Sequence, residues 1–126
     1  MSQKTPLGRA RGLGSAHSGA KHFWRQRLTA IALVPLVIWF VTSLVARSTG
    51  TYEEARAFFS QPLAAALMLM LIGAGFVHLK LGVQVIIEDY IHGESTKLAL
   101  LILNTLYCAA VGLLAALAVL QLFFAG

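Results

Sequence analysis

His78 stands alone as a titratable imidazole in a long apolar run, twelve residues ahead of the pair Asp89-Tyr90. At 1.5 Å per helical residue that spacing is about 18 Å, from near the bilayer centre to its aqueous edge. An ionisable residue in such a run is costly to keep, so it marks a functional candidate. The chemistry open to it is a hydrogen bond to a neighbouring helix, a proton relay, or ligation of a metal or haem iron.

At about 100° per residue, Gly82, Val85 and Asp89 all lie within roughly 40° of His78 around a helix. The four residues form one stripe, with Gly82 leaving room beside the imidazole for something flat. Each member also has a plainer reading. His78 and Gly82 serve equally well as helix–helix contacts, Asp89 as an end-of-helix acid, and Tyr90 as an interfacial aromatic. Glu88 and Asp89 oppose the helix dipole at a C-terminus, so a compensating partner is expected there. Lys80 lies about 200° from His78, on another face, where its stem can carry the ammonium toward the headgroups. Gln84 and Asn104 are expected to make interhelical hydrogen bonds.

The elements that must position this stripe follow from composition. The chain of 126 residues is 58 % hydrophobic and only 12 % charged, with a mean hydropathy of +0.76. A soluble domain is about 45–50 % apolar and about 25 % charged, so lipid is the expected solvent. Three spans are expected, over about residues 28–46, 63–87 and 98–124, giving an all-α membrane protein. Pro35 interrupts the first span and is expected to kink it. A polar connector over residues 47–62 holds a short interfacial helix from Tyr52 to Phe59, capped by Thr51 with Glu53 and Glu54 in its first turn. Pro62 then opens the second span.

Residues 1–22 read as a basic arm preceding a membrane domain over residues 23–126. Up to the first span, Lys4, Arg9, Arg11, Lys21, Arg25 and Arg27 appear without a single acid. That excess places the N-terminus in the cytoplasm and the C-terminus on the far side, with Asp89-Tyr90 at the cytoplasmic face. A basic arm beside a span faces anionic lipid, and no aromatic or zinc pattern points to nucleic acid. The single cysteine, Cys108, excludes an intramolecular disulfide and a thiolate metal motif. No internal repeat suggests a transporter.

The run His78-Leu79-Lys80-Leu81-Gly82-Val83-Gln84-Val85-Ile86-Ile87-Glu88-Asp89-Tyr90 resembles the H-x3-G-x6-D-Y signature of the succinate dehydrogenase hydrophobic membrane anchor family, the D-type subunit. Arg27-Leu28-Thr29-Ala30-Ile31 and the arm Leu7-Gly8-Arg9-Ala10-Arg11-Gly12-Leu13-Gly14-Ser15 are similar to the same family in its bacterial, mitochondrial-like branch. The resemblance implies an inner-membrane anchor for a flavoprotein and an iron–sulfur subunit. It implies a haem b shared with a cytochrome b-type partner anchor subunit, with His78 as this chain's axial ligand to the iron. It further implies ubiquinone as substrate, with Tyr90 on a quinone carbonyl and Asp89 supporting that pocket. Arg27 matches a basic position that would meet a haem propionate or the quinone region, or serve only as a positive-inside anchor. Lys80 departs from the family pattern, which leads one to expect an apolar or aromatic residue there. The sister cytochrome b anchor is disfavoured because its His-Arg-x-[ST]-Gly type run is absent. A fumarate reductase anchor and a non-redox assembly protein remain as alternatives.

Overall fold

The computed structural model describes residues 5–7 and 17–125, so Lys4, Arg9 and Arg11 of the basic arm lie outside the described residues. Four helices follow in order: α1 (His17–Ala46), α2 (Tyr52–Phe59), α3 (Pro62–Tyr90) and α4 (Glu94–Ala125). Three of them, all but α2, are long and apolar enough to cross a membrane. Each runs past the expected span, since helical hydrogen bonding continues into the headgroup region where polar residues are solvated. The largest extension is at the start of α1, where the helix reaches back through Lys21 and His22 into the segment read as arm. α1 has 30 residues, about 45 Å at the helical rise, and continues as one helix through Pro35.

α3 is the central helix. It packs against α1 on one side and α4 on the other, while α1 and α4 scarcely meet. The three spans therefore form an open row instead of a closed bundle. Buried apolar residues are few and mostly small or mid-sized: Leu36, Ala64, Ala65, Leu81, Ile87, Cys108 and Val119. Ile31, Val34, Ile102, Leu106, Leu113 and Leu114 are exposed, as expected where lipid or a partner helix, not water, surrounds the chain.

The α1–α3 seam has an antiparallel register. A β-carbon on Gly82 would stand 3.7 Å from Nε2 of Gln26, and one on Gly75 would stand 3.9 Å from Cδ2 of Leu33. Between them, Thr29 Oγ1 lies 3.1 Å from Nδ1 of His78. Seven residues up α1, from Gln26 to Leu33, are thus matched by seven down α3, from Gly82 to Gly75. On the other side of α3, a β-carbon on Gly112 of α4 would come within 3.2 Å of Phe76 Cγ. The absence of a side chain at Gly112 is what lets the two helices approach so closely.

The short helix forms as its capping residues dictate. Thr51 Oγ1 accepts from Glu54 N at 3.2 Å, and Glu54 Oε2 accepts from Thr51 N at 2.9 Å. This reciprocal pair satisfies two otherwise open N–H groups. Phe58 and Phe59 at the end of α2 meet Trp39 and Phe40 of α1, with ring centroids 6.2–6.5 Å apart. The Arg47 guanidinium sits 3.2 Å from the Phe58 ring centroid and donates to Ser43 O at 3.1 Å. Pro62 takes a first-turn position of α3, where its missing N–H costs nothing.

Candidate functional site

Helix α3 presents His78 to α1 and Lys80 to α4, which matches the separate faces expected from their spacing. The His78 ring is half-buried. Its Nδ1 is held by Thr29 of α1, whose hydroxyl also lies 2.7 Å from Arg25 O and 3.1 Å from Gln26 O. Among the described residues, Nε2 of His78 has no hydrogen-bond partner. A groove of ≈ 180 Å³ opens beside the ring, lined by Phe23, Gln26, Arg27, Ala30 and His78. Arg27 is exposed on this groove, its guanidinium carbon 5.2 Å from the Phe23 ring centroid. A half-buried imidazole and a cation thus share one concavity.

Gly82 has a different partner from the one its place beside His78 suggests. The space over it is filled by the Gln26 side chain, so this glycine serves close packing of α1 on α3. The flat room beside the imidazole is found on the Phe23–Arg27–Ala30 side instead.

The two ends of the stripe are separate sites. Asp89 and Tyr90 are the last residues of α3, and both are exposed, Tyr90 at 75 %. Twelve residues separate Tyr90 from His78, about 18 Å of helix, so no single pocket holds both. Glu88 finds its compensating partner within its own helix: Gln84 Nε2 donates to Glu88 Oε1 at 3.0 Å. The expected interhelical bond of Gln84 is therefore replaced by an intrahelical one. Asn104 does bridge helices, donating from Nδ2 to Lys80 O at 3.0 Å.

Lys80 is half-buried and lines an apolar groove of ≈ 360 Å³ between α3 and α4, together with Phe76, Thr105, Cys108 and Gly112. Among the described residues no three His, Cys, Asp or Glu side chains cluster to hold a metal ion. His78 is a lone imidazole on this face of α3.

Three residues on α1 escaped notice in the sequence. His22, Gln26 and Thr29 recur at four and three residues, and the series continues through Leu33, Leu36 and Ser43 along the α1 face that meets α3. Among the described residues, Nε2 of His22 and Oε1 of Gln26 are buried without a partner. The 4–3 spacing of polar residues was the available signal.

A family model described as succinate dehydrogenase/fumarate reductase transmembrane subunit matches residues 1–121. Among curated proteins, the chain is 37 % identical over 98 residues to the succinate dehydrogenase hydrophobic membrane anchor subunit of Paracoccus denitrificans, covering 77 % of this chain and 75 % of that one. The protein of the same description from Rickettsia bellii is 31 % identical over 99 residues, 79 % of each chain. The succinate dehydrogenase membrane anchor subunit of Reclinomonas americana is 32 % identical over 85 residues, 64 % of this chain and 70 % of its own. No solved structure matches the chain.

Proposed function

The chain belongs to the succinate dehydrogenase/fumarate reductase transmembrane subunit family, and on that premise we propose that it is the hydrophobic membrane anchor of a succinate:quinone oxidoreductase. In this reading it sits in a bacterial inner membrane with its N-terminus in the cytoplasm. It holds an iron–sulfur subunit and, through it, a flavoprotein at the cytoplasmic face, beside a cytochrome b-type partner anchor. The open row of helices and the wide apolar faces of α1 and α4 suit a subunit whose remaining neighbours are other membrane helices.

The observation that carries the redox part of the proposal is the state of His78. One ring nitrogen is engaged by Thr29, the other has no partner among the described residues, and a groove with a cation opens beside it. These residues fit a b-type haem held between two subunits. His78 Nε2 would hold the iron, Phe23 and Ala30 would line the groove against the ring, and the Arg27 guanidinium would offer a partner for a propionate. A second ligand would come from the partner anchor. When bound, haem supplies a one-electron site whose potential depends on its axial ligands and burial.

Quinone reduction consumes two electrons and two protons. In this reading the Tyr90 Oη–H donates to a quinone carbonyl at the cytoplasmic edge, which its exposure at the end of α3 supports. The Asp89 carboxylate beside it is open to solvent and returns protons to that edge. Electrons arrive from the iron–sulfur subunit, so the chain's own part is binding, orientation and proton supply.

His78→Ala in the assembled complex tests the reading. The b-haem absorbance is expected to be lost or shifted while the complex still assembles. An unaltered haem spectrum would remove His78 as a ligand.

A further inference from the structure

The structure assigns Thr29 as the residue that sets the tautomer of His78, and with it which ring nitrogen faces the iron; this rests on His78 being a haem ligand. A threonine hydroxyl carries one hydrogen and two lone pairs. Thr29 Oγ1 lies 2.7 Å from Arg25 O and 3.1 Å from Gln26 O on its own helix, and 3.1 Å from His78 Nδ1 across the seam. At 2.7 Å, two oxygens with no hydrogen between them repel, so the hydroxyl hydrogen is spent on Arg25 O. The oxygen then meets Nδ1 with a lone pair, and that nitrogen must carry its proton. A neutral imidazole protonated at Nδ1 has its own lone pair on Nε2. Ligation requires that lone pair, and the opposite tautomer would aim an N–H at the metal.

Two consequences follow. Thr29 lies on α1 and His78 on α3, so the ligand's orientation is tied to the packing of the two helices at this level. The hydroxyl also accepts from the imidazole N–H, which makes Nε2 a better electron donor to iron. Second partners of this kind commonly change metal affinity or activity by about 10–100-fold when removed.

The experiment compares Thr29→Val, Thr29→Ala, Thr29→Ser and His78→Ala in the purified complete complex. The readouts are the haem-to-flavin ratio, the rate of haem loss in detergent, the haem midpoint potential and the low-spin haem resonance. Thr29→Val keeps the volume and removes the acceptor. It is expected to speed haem loss about tenfold and to raise the potential, because a weaker donor stabilises ferric iron less. Thr29→Ser keeps the acceptor and is expected to match the parent protein. Thr29→Ala, which removes any misfit of the valine methyl, is expected to behave as Thr29→Val.

Parent-like haem loss and potential in Thr29→Val and Thr29→Ala, with low-spin haem absent in His78→Ala, would overturn the role of Thr29 while keeping His78 as ligand. Equal changes in Thr29→Ser and Thr29→Val would make Thr29 a packing residue only. Intact low-spin haem in His78→Ala would remove the ligand and Thr29's role together.

Discussion

The side-chain amide of Asn104 on α4 donates to the main-chain carbonyl of Lys80 on α3, 3.0 Å away. Its other end is used as well, since Cys108 Sγ lies 3.6 Å from Asn104 Oδ1. Asn104 is one of two buried polar residues among those described, and both halves of its amide are satisfied. The bond fastens α4 to the central helix two residues beyond His78.

Asn104→Ala is therefore expected to weaken the α3–α4 pairing without touching the His78 side of α3. Interhelical side-chain hydrogen bonds in membranes average about 0.6 kcal/mol, with a maximum near 1.7 kcal/mol. The unfolding free energy from an SDS titration of the purified complex should fall by that modest amount, with a lower midpoint. The haem spectrum and succinate:quinone turnover before denaturation should stay as in the parent.

Gly112 predicts a larger effect from a smaller change. A β-carbon there would stand 3.2 Å from Phe76 Cγ and 3.4 Å from Phe76 Cβ. Phe76 Cβ is bound to the backbone and cannot swing away. Overpacking of this kind costs typically about 1–3 kcal/mol. Gly112→Ala should lower the thermal dissociation temperature of the complex, and Gly112→Leu should reduce its assembled yield. Phe76→Ala, which removes the Cγ that stands closest, should recover part of the Gly112→Ala loss in a double-mutant cycle, because the two residues share one contact. Strict additivity of the two variants would mean that the contact is not the cause.

Much of the fold was legible because its signals are local. Thr51 and Glu54 announce a capped helix by type and spacing, and that helix forms over Tyr52–Phe59 as expected. Pro62 marks a helix start for a reason that involves no other element. The interhelical bond expected of Gln84 is not made, because an acceptor one turn away in Glu88 competes successfully with any interhelical partner. Type and spacing leave Gly82 with two readings, and the register of α1 on α3, which sets Gln26 over it, selects the packing contact. The same dependence hid Thr29. Its place in the sequence was visible, but its meeting with His78, 49 residues away, follows only once both helices are aligned.

The cap on α2 gives a local prediction. Thr51→Ala removes the side-chain acceptor of Glu54 N and should cost about 1 kcal/mol of local stability. The aromatic anchor to Trp39 and Phe40 is untouched, so the connector should fray without detaching. Amide hydrogen exchange over residues 53–56 should quicken about fivefold, the factor that corresponds to ~1 kcal/mol. Exchange over α3 and α4 should not move.

Tyr90 and Asp89 end α3 in the open, both side chains exposed. Tyr90→Phe removes one hydroxyl and leaves the ring that anchors the helix at the interface. If Tyr90 Oη–H donates to the quinone carbonyl, succinate:quinone turnover should fall by roughly 10²-fold, the lower end of what positioned acid–base groups contribute. Succinate oxidation with a water-soluble dye should stay near the parent rate, because that assay bypasses the membrane site. Asp89→Asn should reduce quinone turnover too, since an amide cannot take up and release protons at this edge. Equal loss of dye-linked and quinone-linked activity in Tyr90→Phe would locate the defect in docking of the soluble subunits. In that case the hydroxyl would be a docking contact and the quinone assignment of Tyr90 would fall.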